Sequence, residues 1–178
     1  MQTFSILQTL DTVNTIIIQN SQIEELKGFG LQTIGDLIVS NNPYLNSIDL
    51  QPYNVTGTLR IGINGRSTIV SMPNLQYAQV VLFANSSNIT IPSLTQVDGG
   101  LASWDNYMAD FRGAPLLQSV NGGFNLSNNR LMTSIELPYL QKVADGFTVY
   151  NNTNLTTLDG LYGLTTNSRD AVFDGNVT

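Results

Sequence analysis

The sequence predicts an all-β fold: a right-handed parallel β-solenoid of about eight rungs, each 21–24 residues long, with little or no helix. Three observations predict it. A short apolar motif closed by a polar residue, almost always Asn, recurs eight times along the 178 residues. Pro and Gly punctuate the copies in the same places, which leaves no room for a ten-residue helix. Charged residues make up only 11%, against roughly 25% in an ordinary soluble domain. The surface is therefore solvated by hydroxyls, amides or attached sugar.

The motif sets the strands. Its copies are Ile16, Ile18 and Ser21; Leu37, Val39 and Asn42; Leu59, Ile61 and Asn64; Val80, Leu82 and Asn85; Leu101, Ser103 and Asn106; Phe124, Leu126 and Asn129; Phe147, Val149 and Asn152; and Ala171, Phe173 and Asn176. Their first positions are separated by 21, 22, 21, 21, 23, 23 and 24 residues. This is the L-x-L-x-x-N heart of a leucine-rich-repeat pattern. Parallel strands stacked at about 4.8 Å make a rod roughly 34 Å long over seven steps.

The closing Asn has a structural task. Where the chain turns inward its backbone groups lose water, and an inward amide can bond to its own and neighbouring rungs. Asn42, Asn64, Asn85, Asn106, Asn129, Asn152 and Asn176 are expected to form this ladder.

The flanks repeat as well. L-x-x-V/I precedes the strand at Leu31–Ile34, Leu94–Val97, Leu117–Val120 and Leu140–Val143, and a Pro often stands two places earlier. Gly99-Gly100, Gly122-Gly123 and Gly146 close the approach to the strand. Downstream, Ile48-Asp49-Leu50, Ile89-Thr90-Ile91 and Ile135-Glu136-Leu137 alternate with period two and read as short second strands.

Composition excludes several chemistries. With no His and no Cys, the chain can form no disulfide, no thiolate or imidazole metal site and no triad that runs through His. The net charge is −6 and the seven basic residues are scattered, unlike the basic stripe of a nucleic-acid binder. No catalytic residue and no cofactor site emerges.

Two surface features point outward. Sequons begin at Asn54, Asn85, Asn88, Asn125, Asn151, Asn154 and Asn176, against about 3.6 expected by chance for this composition. Asn85 and Asn176 fall in ladder slots. Asn54, Asn88, Asn125, Asn151 and Asn154 are therefore the N-glycosylation candidates. The residue between two inward apolar positions points out. That alternation places Phe83 beside Trp104, with Val81 and Ala102 behind them, as an aromatic patch for glucan or protein contacts.

At this point a resemblance emerges. Tyr44-Leu-Asn-Ser-Ile-Asp-Leu50, Pro92-Ser-Leu-Thr-Gln-Val-Asp-Gly-Gly-Leu101 and Phe147-Thr-Val-Tyr-Asn-Asn-Thr-Asn-Leu-Thr-Thr-Leu-Asp-Gly-Leu161 resemble the fungal GPI-anchored cell-wall organisation proteins. That family has receptor-L-domain-like repeats and includes sporulation-specific wall proteins. The resemblance runs over about residues 14 to 176. It implies a non-catalytic, N-glycosylated module at the plasma membrane or in the wall, with wall polysaccharide or other surface proteins as partners and a GPI lipid only in a full-length form. The chain lacks the family's signal peptide, Ser/Thr-rich stalk and hydrophobic tail. Residues 1–178 thus read as a single solenoid, part of a longer ectodomain. Two alternatives stay open. One is a β-helix polysaccharide-active enzyme, for which Asp36, Asp170, Asp174 and the Asp105, Asp110, Arg112 group are the available acids and base. The other is an intracellular leucine-rich-repeat scaffold.

Overall fold

The computed structural model describes residues 3–4, 11–28, 30–66, 68–167 and 170–175. Among these there is no helix, and every strand pairing is parallel. The chain winds as a β-solenoid.

Eight strands of the front sheet define the rungs. They are Thr12–Gln19, Thr33–Ser40, Asn54–Gly62, Tyr77–Ala84, Leu101–Trp104, Phe124–Ser127, Phe147–Tyr150 and Ala171–Asp174, each paired with the next. Rungs 1 to 4 use long continuous strands. From rung 5 onward the strand splits, and its first part becomes the two-residue strands Gln96–Val97, Ser119–Val120, Lys142–Val143 and Thr166–Asn167. The split falls at the glycines. A Cβ on Gly122 would stand 2.6 Å from the Gly99 carbonyl carbon and oxygen, so a side chain there would push the two rungs apart.

Behind the front sheet lie two smaller stacks. One pairs Thr3–Phe4, Glu25–Lys27, Ser47–Asp49, Thr68–Ser71 and Ser86–Thr90, and the other pairs Asp110–Phe111, Ser134–Glu136 and Thr157–Gly160. The expected second strands are present, begun one to three residues earlier than the apolar triplets suggested.

The core is columnar. The L-x-x-V positions Leu31, Ile34, Leu94, Val97, Leu117, Val120, Leu140 and Val143 are all fully buried. Burying an aliphatic side chain of this size contributes about 1.5–3 kcal/mol, and each rung repeats the gain. In the later rungs aromatic rings enter the inward columns. Phe124 and Phe147 lie with centroids 5.0 Å apart, and Phe147 meets Phe173 edge-on at 5.7 Å.

One strand differs from the sequence expectation. In rung 4 the inward pair is Val81 and Phe83, both fully buried, where the motif assigned Val80 and Leu82. Leu59 pairs with Val81 and Ile61 with Phe83, and on the other side Leu101 and Ser103 meet the same two residues. Residues 80 to 83 are all apolar, so alternation fits either register, and a slip of one residue exchanges the two faces. Asn85 drew the motif one place too early.

Candidate functional site

The Asn ladder is built as expected at five slots. In each, the amide oxygen accepts the backbone N–H of the same slot one rung earlier. Asn64 Oδ1 takes Asn42 N–H at 3.2 Å, Asn129 takes Asn106 at 3.0 Å, and Asn152 takes Asn129 at 2.9 Å. The amide nitrogen donates to the carbonyl three residues before that slot: Ile18 from Asn42, Val39 from Asn64, Phe83 from Asn106, Ser103 from Asn129 and Leu126 from Asn152. A buried turn is thereby satisfied twice per rung.

Asn85 is not in this ladder. Its slot belongs to Ser86, which is fully buried and donates its N–H to Asn106 Oδ1 at 2.9 Å. Asn176 lies outside the described residues.

The residue before each slot forms a second, outer column. Asn20, Asn41, Ile63, Asn85, Asp105, Asn128 and Asn151 all have φ between 52° and 58°. This left-handed conformation turns the chain into the next stretch, and Asn and Asp tolerate it better than most L-residues. Asn41 donates its side-chain nitrogen to Asn20 Oδ1, and Asn151 donates to Asn128 Oδ1 at 2.8 Å.

The register of rung 4 changes the proposed patch. Phe83 and Val81 have no exposed surface, so neither can be part of it. Trp104 does sit on the outer face, half-buried, with Ala84 and Ser127 as its register neighbours. The next aromatic residue in that column is Tyr150, paired with Ser127 and 47% exposed. Trp104 and Tyr150 thus stand two rungs apart, roughly 9.6 Å. Beside them runs a groove of about 300 Å³ lined by Val80, Leu82, Ala102, Asn125, Thr148 and Asp145, among others. It follows the glycine break, where missing side chains leave the floor low.

The acids lie apart. Asp36 is in rung 2, where it accepts the Thr58 N–H at 2.8 Å, while Asp170 and Asp174 are at rung 8, about 29 Å away along the stack. Asp110 is paired with Arg112 at 2.7 Å on the surface, away from Asp105 in the outer turn column. A polar cluster that the motif reading missed surrounds Asp98. Gln96, Asn121 (2.8 Å) and the Tyr77 hydroxyl (3.0 Å) all donate to its carboxylate. Those bonds, Gln96 first, hold the carboxyl below the usual carboxylate range, with a small contribution from the Lys142 charge. Burial, and then the bond to Asp98, pushes the Tyr77 phenol up. The stacking register could have shown this cluster, since Tyr77, Gln96 and Lys142 share one register column.

The acceptor asparagines are spread over the surface. Asn88, Asn125 and Asn154 are exposed, and Asn54, Asn85 and Asn151 are half-buried.

Fold and surface define a repeat-built β-solenoid with a low-charge outer face. Three curated proteins are similar to it. The chain is 35% identical over 107 residues to a cell surface GPI-anchored protein of Arthroderma benhamiae, covering 60% of this chain and 28% of that protein. It is 29% identical over 119 residues to protein ecm33 of Aspergillus fumigatus, covering 66% and 30% of the two chains. It is 25% identical over 92 residues to cell wall protein ecm33 of Schizosaccharomyces pombe, covering 52% and 22%. The matched segment thus spans less than a third of each of these relatives. No family model matches, and no solved structure matches. The homologues are fungal GPI-anchored cell-surface and ecm33 cell-wall proteins, the family the sequence resembles. They support a location at the cell surface, and none of the three is named as an enzyme.

Proposed function

We propose that this chain is a non-catalytic module of the fungal cell surface that contributes to cell-wall organisation by holding wall glucan against its front sheet. The groove along the glycine break carries this reading. Its apolar residues Val80, Leu82 and Ala102 suit the apolar faces of sugar rings, while Asn125, Thr148 and Asp145 offer partners for hydroxyls. Trp104 and Tyr150 stand on the same face, and aromatic side chains combine a large apolar surface with a polar edge. The wall and surface names of the relatives agree with this role.

Sedimentation with insoluble β-glucan tests it. The wild-type chain is expected in the pellet and a Trp104→Ala, Tyr150→Ala double variant in the supernatant. Equal partition of the two would overturn the glucan reading and leave protein partners as the occupant of this face. Release of reducing ends from the same glucan would overturn the non-catalytic part.

A further inference from the structure

We propose that Asn85 carries an N-linked glycan whose first sugar is seated in a pocket of the next rungs, beside Tyr107. The motif assigned Asn85 inward, which would forbid a sugar. The structure turns it outward. Asn85 begins the acceptor Asn85-Ser86-Ser87, and its φ of 56° places it in the outer turn column, while Ser86 takes the buried slot.

Within that column Asn85 is set apart by its neighbours. Asn41 and Asn151 spend their amide nitrogens on the Asn one rung earlier. Asn85 follows Ile63 and precedes Asp105. Among the described residues its side chain makes no hydrogen bond. A glycan on Asn151 would disturb a bond that the column makes, whereas one on Asn85 disturbs none.

A seat for the sugar is adjacent. Asn85 lines a pocket of about 430 Å³ together with Asp105, Tyr107, Asn128, Arg130 and Leu131. Tyr107 is 40% exposed and Leu131 51% exposed, so each presents an apolar surface against which one face of a pyranose ring can pack. Asp105, Asn128 and Arg130 supply acceptors and donors for its hydroxyls and acetamido group. Such a mixture of a few polar groups around apolar surface is what small-molecule sites use. The occupant arrives tethered, so its effective concentration at the pocket is high without any affinity for free sugar.

The covalent step is the ordinary one for this acceptor. The Asn85 Nδ2–C1 bond forms and the bond from C1 to the phosphate of a lipid-pyrophosphate-linked oligosaccharide breaks. The lipid pyrophosphate leaves, and Nδ2 gives up one proton and keeps the other. The membrane-held lipid-linked oligosaccharide is the donor, and the host's secretory-pathway transferase takes the Nδ2 proton and acts on the chain before it folds.

The test uses the whole chain secreted from a fungal host, with Asn88→Gln removing the acceptor in the same peptide. Enzymatic glycan release in heavy-oxygen water converts a glycosylated Asn to labelled Asp. Label at position 85 is expected, and an unlabelled Asn85 would overturn the proposal. The seat is tested by the rate of release from folded protein. Release needs the unseated form, so a sugar seated nine-tenths of the time should be freed roughly tenfold more slowly than in a folded Tyr107→Ala variant. Equal rates in the two, with matching circular dichroism spectra, would overturn the seat while leaving the modification standing.

Discussion

Asn129 Oδ1 accepts two bonds from Asn106, one from its backbone N–H and one from its Nδ2, both at 3.0 Å. Asn129 is fully buried and Asn106 nearly so. The two rungs are therefore joined at a point that water does not reach, and the ladder contributes to stability through groups that would otherwise be orphaned.

Replacing Asn129 by Ala strips the acceptor from Asn106 and the donor from the Ser103 carbonyl, which Asn129 Nδ2 reaches at 3.0 Å. Urea unfolding of unglycosylated protein is expected to show a loss of about 3 kcal/mol, since each unsatisfied buried group costs roughly 1–3 kcal/mol. Asn125→Ala, four residues away on the exposed face, is expected to change stability by less than about 0.5 kcal/mol.

Phe83 and Trp104 separate the two registers of rung 4. With Phe83 in the core, Phe83→Ala is expected to cost about 3–5 kcal/mol, whereas Trp104→Ala on the outer face costs on the order of 1 kcal/mol. Denaturation followed by circular dichroism measures both, because Trp104 is the only Trp and its loss removes the fluorescence signal. A reversed order of costs would restore the outward placement of Phe83.

Ile63 is strained. It is 58% exposed with φ at 55°, a conformation costing an L-residue roughly 1–2 kcal/mol, and β-branching makes it worse. Ile63→Asn matches five of the six other members of its column and is expected to raise stability by about 1 kcal/mol. The melting temperature should rise by roughly 2–4 °C for a chain of this size.

Asp98 sets a pH dependence. Its carboxyl is depressed by the bonds from Gln96, Asn121 and Tyr77. A depressed carboxyl stabilises the fold above the ordinary carboxylate pKa, and the contribution is lost as pH falls through the folded value. Tyr77, with its phenol raised, stabilises the fold below the ordinary phenol pKa and loses that contribution as pH rises through its folded value. Carbon NMR titration is expected to give Asp98 a midpoint below the usual carboxylate range, and Gln96→Ala should move it upward. The cluster lies half-buried at the surface, where solvent screens it, so the effect on unfolding is small.

Much of this was readable along the chain. The L-x-x-V positions and five of the ladder asparagines occupy the places their spacing implied, because a repeat forces the same side chain into the same environment each turn. In rung 4 the local pattern points to the wrong face, because four apolar residues in a row erase the alternation that fixes a face. A longer-range signal was available: Val81 stands six residues after Leu75, as Leu37 does after Leu31. The groove was not legible, since it arises from an absence of side chains at Gly100, Gly123 and Gly146 that matters only once rungs are stacked.

The sequence by itself determined the rung length, the parallel all-β architecture, the apolar columns and the similarity to fungal cell-surface proteins. Those are periodic properties, and a period survives errors in any one copy. Only the tertiary structure decided which of two adjacent residues faces the core in rung 4, and with it the fate of Phe83, Ser86 and Asn85. That choice depends on registry with the strands on either side, where Leu59 and Ile61 meet Val81 and Phe83, and on a buried slot that accommodates Ser86. A contact between rungs is some twenty residues long in sequence and one strand spacing in space, so it is set by stacking and not by the local pattern.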